Sequence, residues 1–268
     1  MAARTNTNGR EAKNEECSLN GGPLSLTPKL VLLPGMDGTG ELFTNFVKAL
    51  PEAFEFVVVR YPPDRFIPYS ELADLVRKSC PISEPFILLA ESYSTPLAVQ
   101  YAAANPTNLA ALVLCAGFAS SPVGGWRRVF ALLLAPIMFR IPLPKFAAEF
   151  WLLGPDAPSS LLAAVQVTIS SVKPNVLAAR VREAITREVL AELEQITVPI
   201  LYIQAKQDRL VSAKCLEDIR RINPQIELAK LDGPHLLLQR EPQKSADLVS
   251  EFLRGLDLSP MGKTGVIG

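Results

Sequence analysis

The sequence predicts an α/β fold in which a mostly parallel sheet of about six strands is flanked by helices. From residue 29 onward, short apolar and β-branched runs alternate with segments of helical period. Several of the runs are apolar throughout, as strands covered on both faces tend to be. Strands separated by helix-length segments imply parallel βαβ units, and hence an open, doubly wound sheet.

The first four strands are predicted from runs that end at turn-forming residues or lead into helices, at residues 29–33, 54–60, 86–90 and 110–115. Between the first two, one amphipathic stripe indicates a helix: Leu42, Phe43, Phe46, Val47 and Leu50. Ser70 is expected to cap a second helix. Residues 95–104 are apolar nearly all round, which predicts a third helix buried against the sheet.

Two further strands complete the sheet, at residues 199–205 and 226–231, with a helix around 216–222 between them. The last helix carries one apolar face, formed by Leu248, Val249, Phe252, Leu253 and Leu256. Residues 29–118 and 196–256 are therefore expected to form one α/β core.

Residues 119–195 break this alternation, because they contain helical patterns and prolines but no convincing strand. Such an insertion between core strands predicts a helical cap, although packing helices without a role at a site would leave the same pattern. The aromatic residues of the cap are expected either to line an apolar pocket for an acyl or aryl group or to pack the cap onto the core: Trp126, Phe130, Phe139, Phe146, Phe150 and Trp151. The amphiphilic cap helices could also contact a lipid surface.

The composition argues against several classes of protein. The 27 basic and 27 acidic side chains cancel, which gives no electrostatic reason for a nucleic-acid partner. A single histidine argues against a His-based metal site, and 4 scattered cysteines argue against a disulfide framework, so no metal or cofactor is expected.

No apolar stretch is long enough for a signal peptide or a transmembrane helix, and a cytoplasmic location is expected. Residues 1–28 are expected to be disordered and 257–268 to form a tail, and the oligomeric state stays open.

The strongest local feature is the turn Ala90-Glu91-Ser92-Tyr93-Ser94, between an apolar strand and a buried helix. A serine on such a sharp turn projects its hydroxyl at the carboxyl edge of the sheet, provided that the residues two before and two after it are small. The usual pattern is G-x-S-x-G, and Ala90 and Ser94 keep the small size without the glycines. Ser92 is therefore the predicted nucleophile.

A serine nucleophile needs a base and an acid that orients it. His235 is the only histidine in the chain, and it follows the last predicted strand at the same sheet edge as Ser92. Asp208 follows the strand at 199–205 and is the preferred acid, because a loop from the neighbouring strand can face the imidazole. Asp232 is the competitor, three residues before His235.

Two backbone N–H groups are expected to form the oxyanion hole. Tyr93 supplies one, at the start of a helix whose dipole favours negative charge. Met36 supplies the other, from the glycine-rich loop after the first strand. That loop could instead bind phosphate, but it lacks the Gly-Lys-Ser/Thr ending of a P-loop.

Four stretches resemble those of the α/β-hydrolase superfamily, over about residues 29–256: LLPGMDGTG, AESYS, AKQDRLV and DGPHLLLQREP. The resemblance implies an esterase- or lipase-like serine hydrolase that forms an acyl-Ser92 intermediate, and a small-molecule ester with a small to medium apolar acyl or aryl group is the expected substrate. The chain departs from the usual pattern at three points. Pro34 stands where many members have histidine, the elbow lacks both glycines, and no strand is predicted before residue 29.

Other activities are compatible with the same residues. An acyltransferase or a thioesterase would use the same triad, and the LPGMDGTG loop is similar to that of hydrolase-fold proteins linked to lipid acyl transfer. A carbon–carbon bond hydrolase, or a binding protein that kept the fold without turnover, also stays open. Dehalogenases and epoxide hydrolases are disfavoured, because they need an aspartate at the position of Ser92.

Overall fold

The computed structural model describes residues 28–256, and six strands within them form one parallel sheet. In chain order the strands are β1 (Lys29–Leu33), β2 (Phe56–Val58), β3 (Phe86–Glu91), β4 (Leu109–Cys115), β5 (Ile200–Ala205) and β6 (Glu227–Leu231). They lie in the order β2-β1-β3-β4-β5-β6, and every neighbouring pair is parallel. The predicted fold is confirmed. The expectations for residues 1–27 and 257–268 lie outside the described residues.

Helices connect the strands and cover both faces of the sheet. In chain order they are α1 (Thr44–Ala49), α2 (Tyr69–Ser79), α3 (Thr95–Ala103), α4 (Gly125–Met138), α5 (Lys145–Ala148), α6 (Ser159–Ser170), α7 (Pro174–Thr186), α8 (Ala213–Ile222), α9 (Leu237–Arg240) and α10 (Pro242–Arg254). A π-helical turn, Glu149–Leu153, continues α5, and 3₁₀ turns occur at Glu41–Phe43, Ser92–Ser94 and Ala191–Gln195. The prediction that Ser70 caps α2 is wrong, because the helix begins at Tyr69 and Pro68 occupies the N-cap position.

The core lies on the two faces of the sheet, because successive residues of a strand point to opposite sides. In β1, Val31 and Leu33 pack with side chains from α2, α3 and α8. Leu30 and Leu32 pack on the other face, with side chains from α1, α9 and α10. Both faces are buried, which is why the strands read as continuous apolar runs rather than alternating ones.

The region between β4 and β5 holds α4 to α7 and, over residues 116–199, no strand. Of the two expectations for its aromatic residues, packing of the cap onto the core is wrong for most of them, and the lining of an apolar pocket stays a prediction. Trp126, Phe130, Phe146, Phe150 and Trp151 are exposed. The first two belong to α4, which is covered on little more than the side that rests on α7. Among residues 28–256 no single helix is long and apolar enough to cross a bilayer, and the one consecutive pair that passes by length and composition, α6 with α7, is bent by 96°.

The topology brings four loops to one edge of the sheet, because parallel strands end on the same side. These loops follow β1, β3, β5 and β6, and each carries at least one of the residues predicted from the sequence to form the site.

Candidate active site

The turn after β3 holds Ser92 in a strained conformation. Its φ angle is 47°, in the left-handed region that residues other than glycine adopt rarely. A 3₁₀ turn over Ser92–Ser94 leads directly into α3. The direction of the chain therefore reverses sharply at Ser92, whose side chain is only half-buried, and this arrangement is the sharp strand-to-helix turn, or elbow, that the sequence predicts.

Ser92, His235 and Asp208 form one continuous chain of hydrogen bonds. The Ser92 Oγ lies 2.8 Å from the His235 Nε2, and the His235 Nδ1 lies 2.8 Å from the Asp208 Oδ2. The imidazole is buried, with 4% of the residue exposed. With Nδ1 donating to the carboxylate, Nε2 is left free to accept the serine proton. The three residues predicted from separate loops thus lie within direct contact distance.

The carboxylate of Asp208 is held on both oxygen atoms. Its Oδ1 accepts hydrogen bonds from the backbone N–H groups of Leu210 and Val211, at 2.8 and 2.9 Å, while Oδ2 faces the imidazole. Asp232 is directed elsewhere, because its Oδ2 pairs with the Lys206 ammonium at 3.2 Å and 74% of its side chain is exposed. Of the two acids that the sequence left in competition, the structure brings Asp208 to the histidine.

The glycine-rich loop after β1 is fixed through five consecutive carbonyl groups. The Ser94 Oγ donates to the Pro34 oxygen, and the Gly38 N–H donates to the Gly35 oxygen at 3.0 Å. Arg180 donates to the next two, the oxygens of Met36 and Asp37, at 2.9 and 2.7 Å. The Tyr61 N–H donates to the oxygen of Gly38 at 2.7 Å.

This bonding determines where the N–H of Met36 can point. The Met36 N–H shares a rigid trans peptide with the Gly35 carbonyl, and that carbonyl turns inward to Gly38. The N–H must therefore point the opposite way. No hydrogen bond from it is found among the described residues, so it is available to a bound group.

A model of the alpha/beta hydrolase family matches residues 30–248, which include every element of this site. The chain belongs to the alpha/beta hydrolase family. The resemblance predicted from the LLPGMDGTG, AESYS, AKQDRLV and DGPHLLLQREP stretches is thereby confirmed. No curated protein sequence matches the chain.

Solved structures similar to this alpha/beta hydrolase family member share its fold at low sequence identity. The enol-lactonase from Burkholderia xenovorans LB400 superposes with a TM-score of 0.73 and 17% identity, covering 85% of this chain and 91% of that one. A thermophilic esterase from Thermogutta terrifontis superposes with a TM-score of 0.72 and 19% identity, covering 85% of this chain and 89% of that one. A hydrolase from Oleispira antarctica superposes with a TM-score of 0.72 and 13% identity, covering 85% of this chain and 91% of that one.

A second carboxyl group is buried beside the histidine of this family member. Glu91 is 2% exposed; its Oε2 accepts a hydrogen bond from the Gln239 amide at 3.2 Å, and its Oε1 has no partner among the described residues. Burial raises the pKa of Glu91 to about 7. Burial opposes a charge on His235, but the charges of Asp208 and Glu91 outweigh it and raise the pKa of the imidazole above 6.5.

Two side chains of α7 connect the cap to the elbow and to the loop after β1. Arg180 is buried and reaches the carbonyl oxygens of Met36, Asp37 and Pro62, the last at 2.9 Å. Glu183 accepts a hydrogen bond from the Tyr93 hydroxyl at 2.7 Å through one oxygen and from the N–H of Tyr69 at 2.7 Å through the other. The Tyr69 hydroxyl in turn donates to the carbonyl oxygen of Tyr93. The cap helix thus holds both loops that flank Ser92.

Several residues with a position in this site were not identified from the sequence: Tyr61, Tyr69, Glu91, Arg180, Glu183 and Gln239. A signal existed for one of them. The buried stripe of α7 contains Val176, Leu177, Ala184 and Ile185, and Arg180 falls within it. An arginine at a core position of a helix needs buried acceptors.

Within residues 28–256 no group of three or more His, Cys, Asp or Glu side chains is arranged to hold a metal ion.

Proposed function

We propose that this protein is a serine hydrolase that cleaves carboxylic esters through an acyl-Ser92 intermediate. The single observation that carries the proposal is the hydrogen-bond chain Ser92–His235–Asp208, with both contacts at 2.8 Å. A serine hydroxyl is a weak nucleophile at neutral pH, and it becomes effective when an adjacent base removes its proton during attack. In support, the His235 Nε2 lies within hydrogen-bond distance of the Ser92 Oγ, and the Asp208 carboxylate faces the other ring nitrogen.

In the first half of the reaction, Ser92 Oγ attacks the ester carbonyl carbon while His235 Nε2 takes the serine proton. The carbonyl π electrons move to the carbonyl oxygen, which becomes the oxyanion of a tetrahedral intermediate. Asp208 stabilises the imidazolium that forms. Collapse of the intermediate expels the alkoxide, which takes the proton from His235 and leaves as an alcohol. In the second half, water repeats these steps on the acyl-enzyme and releases the carboxylic acid.

The N–H groups of Met36 and Tyr93 are proposed to bind the oxyanion. The loop carbonyls are all held, so the Met36 N–H is preorganised and does not have to reorient during the reaction. The Tyr93 N–H lies in the first turn of the elbow, where backbone donors have no partner within the helix. Each such donor is typically worth about 100- to 1,000-fold in rate.

An ester with a small to medium apolar acyl or aryl group is the proposed substrate. The side chain of Met36 packs against an apolar cluster from the cap, formed by Val172, Val176 and Leu177. Apolar side chains therefore border the loop that is proposed to bind the carbonyl oxygen, and such a border suits an apolar acyl or aryl group.

Hydrolysis of p-nitrophenyl esters from acetate to palmitate tests the proposal, with wild type compared to Ser92→Ala. Wild type is expected to turn over and to be labelled by a fluorophosphonate, whereas Ser92→Ala shows neither. The matched control is Ser79→Ala, which removes a half-buried serine at the end of α2 and should retain both. A folded wild type that neither turns over any ester nor labels would overturn the proposal.

Transfer of the acyl group to an alcohol is the second reaction that the same acyl-enzyme permits. Added alcohol competes with water for the intermediate. If transfer dominates, an ester product accumulates in place of the carboxylic acid while p-nitrophenol release continues.

A further inference from the structure

The segment from α4 to the π-helical turn, residues 125–153, exposes an unusual amount of apolar surface. The exposed fractions of Trp126, Leu133 and Phe146 are 71%, 67% and 74%. Further large apolar side chains in the same segment are at least 38% exposed: Val129, Phe130, Leu134, Ile137, Met138, Ile141, Phe150 and Trp151. Single exposed apolar residues are ordinary, but a continuous run of them marks an interaction surface.

The position of α4 explains why so little of it is covered. The helix rests on α7, and Ala135 is the one nearly buried residue among those of its side chains that the structure describes. Most of the residues around it are apolar. A helix that is apolar all round is normally buried in a core or in lipid. In α4 the apolar residues that do not contact α7 face outward instead.

The charge of the same segment points to one kind of partner. The segment contains four basic residues and one acidic residue, whereas the whole chain is balanced: Arg127, Arg128, Arg140 and Lys145 against Glu149. Lys145 pairs with Glu149 at 3.6 Å. Arg128 and Arg140 are exposed and form no ion pair within residues 28–256. The excess charge that remains is positive.

We propose that residues 125–153 form a docking surface for an anionic lipid bilayer. Apolar and aromatic side chains flanked by arginines match an interface of acyl chains and negative headgroups, in which such a helix lies parallel to the membrane plane. A second copy of the chain would bring the same positive excess against itself across a two-fold axis, so a homodimer is the less favourable occupant.

The docking surface adjoins the site residues. The N–H of Leu236, next to His235, donates to the carbonyl oxygen of Leu152 at 3.0 Å. The guanidinium of Arg209, next to Asp208, lies 4.2 Å from the ring centre of Phe150. A bilayer bound to this segment would thus lie beside the two loops that hold the base and its acid.

Vesicle co-sedimentation tests the proposal with the full chain. The vesicles are pure phosphatidylcholine, or phosphatidylcholine mixed equally with phosphatidylglycerol. Wild type is expected to sediment with the mixed vesicles. The Leu133→Glu/Phe146→Glu double variant should bind at least about tenfold more weakly, because two large apolar side chains no longer enter the lipid. Arg140→Gln should lower binding to the mixed vesicles about fivefold and leave binding to the neutral ones unchanged.

The matched control is Ile82→Glu, because Ile82 is 93% exposed and lies before β3, at the opposite edge of the sheet. This variant should bind as wild type does. Ser92→Ala should also bind equally, so failure of the proposed hydrolase activity would leave this test intact. Apart from the half-buried Ser92, all the substituted side chains are exposed, and a thermal melt verifies that each variant is folded.

Two results would overturn the proposal. In the first, wild type stays in the supernatant with both kinds of vesicle. In the second, Ile82→Glu loses as much binding as the double variant. If wild type does not bind vesicles and is instead a dimer that Leu133→Glu/Phe146→Glu converts to a monomer, a second copy is the occupant and the bilayer is excluded.

Discussion

The guanidinium of Arg180, on the cap helix α7, donates a hydrogen bond of 2.9 Å to the carbonyl oxygen of Met36 in the loop after β1. The two residues are 144 positions apart in the chain. The same side chain also holds the carbonyl oxygens of Asp37 and Pro62. The cap therefore contributes directly to the shape of the loop that is proposed to bind the oxyanion.

Arg180→Met is expected to lower kcat about 10- to 100-fold with a smaller change in KM, because a loop that shifts by about 1 Å no longer aims its N–H at the oxyanion. Three acceptors lose a buried donor, so the free energy of unfolding should fall by about 2–4 kcal/mol. Ester kinetics and urea denaturation measure the two effects. Arg182→Met, an exposed arginine on the same helix, is the control. A stability loss without the kcat effect would leave Arg180 a purely structural role.

Ser94→Gly introduces the glycine that is usual at this position of the elbow, yet it is expected to destabilise the folded protein. The Ser94 hydroxyl donates its proton to the carbonyl oxygen of Pro34, so the Tyr61 hydroxyl, 2.6 Å away, must donate to it in turn. Removing it leaves both buried partners unsatisfied, which should lower the free energy of unfolding by about 1–3 kcal/mol. Urea denaturation measures the loss, and Tyr61→Phe should show a smaller one. A Ser94→Gly variant as stable as wild type would contradict the expectation.

Asp208→Asn should lower kcat by about 10⁴-fold while the protein stays folded, because the imidazole loses the partner that holds its reactive tautomer. Asp232→Asn is the matched comparison, an exposed acid three residues before His235. It should change kcat by no more than about twofold, because an exposed ion pair contributes little. Steady-state ester kinetics measure both losses of kcat. If Asp232→Asn lowers kcat more than Asp208→Asn does, Asp232 is the acid that orients His235.

The pH dependence of kcat/KM should report the protonation state of His235. The imidazole acts as a base only when neutral, so the rate rises with pH through its pKa, which the charges of Asp208 and Glu91 raise above 6.5 against the effect of burial. We expect an acid limb with its midpoint above pH 6.5. Glu91→Gln should move this midpoint to lower pH, because one of the charges that favours the imidazolium is gone. A midpoint unchanged by the substitution would show that the two groups do not interact.

Stability should fall as pH rises across the range in which Glu91 ionises. Its pKa is about 7 in the folded protein and 4.5 in the reference state, so the folded protein binds the proton more tightly. The resulting stabilisation is present below about pH 4.5 and is lost as pH rises through about 7, a difference of about 3 kcal/mol. Glu91→Gln, measured by urea denaturation at about pH 5 and about pH 8, should gain stability relative to wild type at the higher pH. The exposed Glu52→Gln serves as control and should show no such difference.

The arrangement of the core and the central residues of the site were predictable from the sequence because they depend on local patterns and simple topology. Strands buried on both faces must be apolar throughout, and β1 is observed at the residues where the apolar run predicts it. Parallel strands end at one edge of the sheet, so residues placed just after β3, β5 and β6 had to lie near one another. Ser92, Asp208 and His235 follow from that rule.

What the sequence by itself determined is therefore the sheet, its order of elements and the three residues that meet at its edge. Only the tertiary structure decided how the cap relates to them. Arg180 donates hydrogen bonds to loops that are distant in the chain, and Glu183 accepts hydrogen bonds from other distant residues. The hydrophobic periodicity of the sequence does not predict such contacts. The apolar pattern of α4 is equally compatible with a buried helix and with an exposed one. An apolar surface is unfavourable in water, but the sequence pattern does not identify the protein or lipid surface that covers it. For that reason the sequence did not show that most of the cap aromatic residues are exposed rather than packed onto the core.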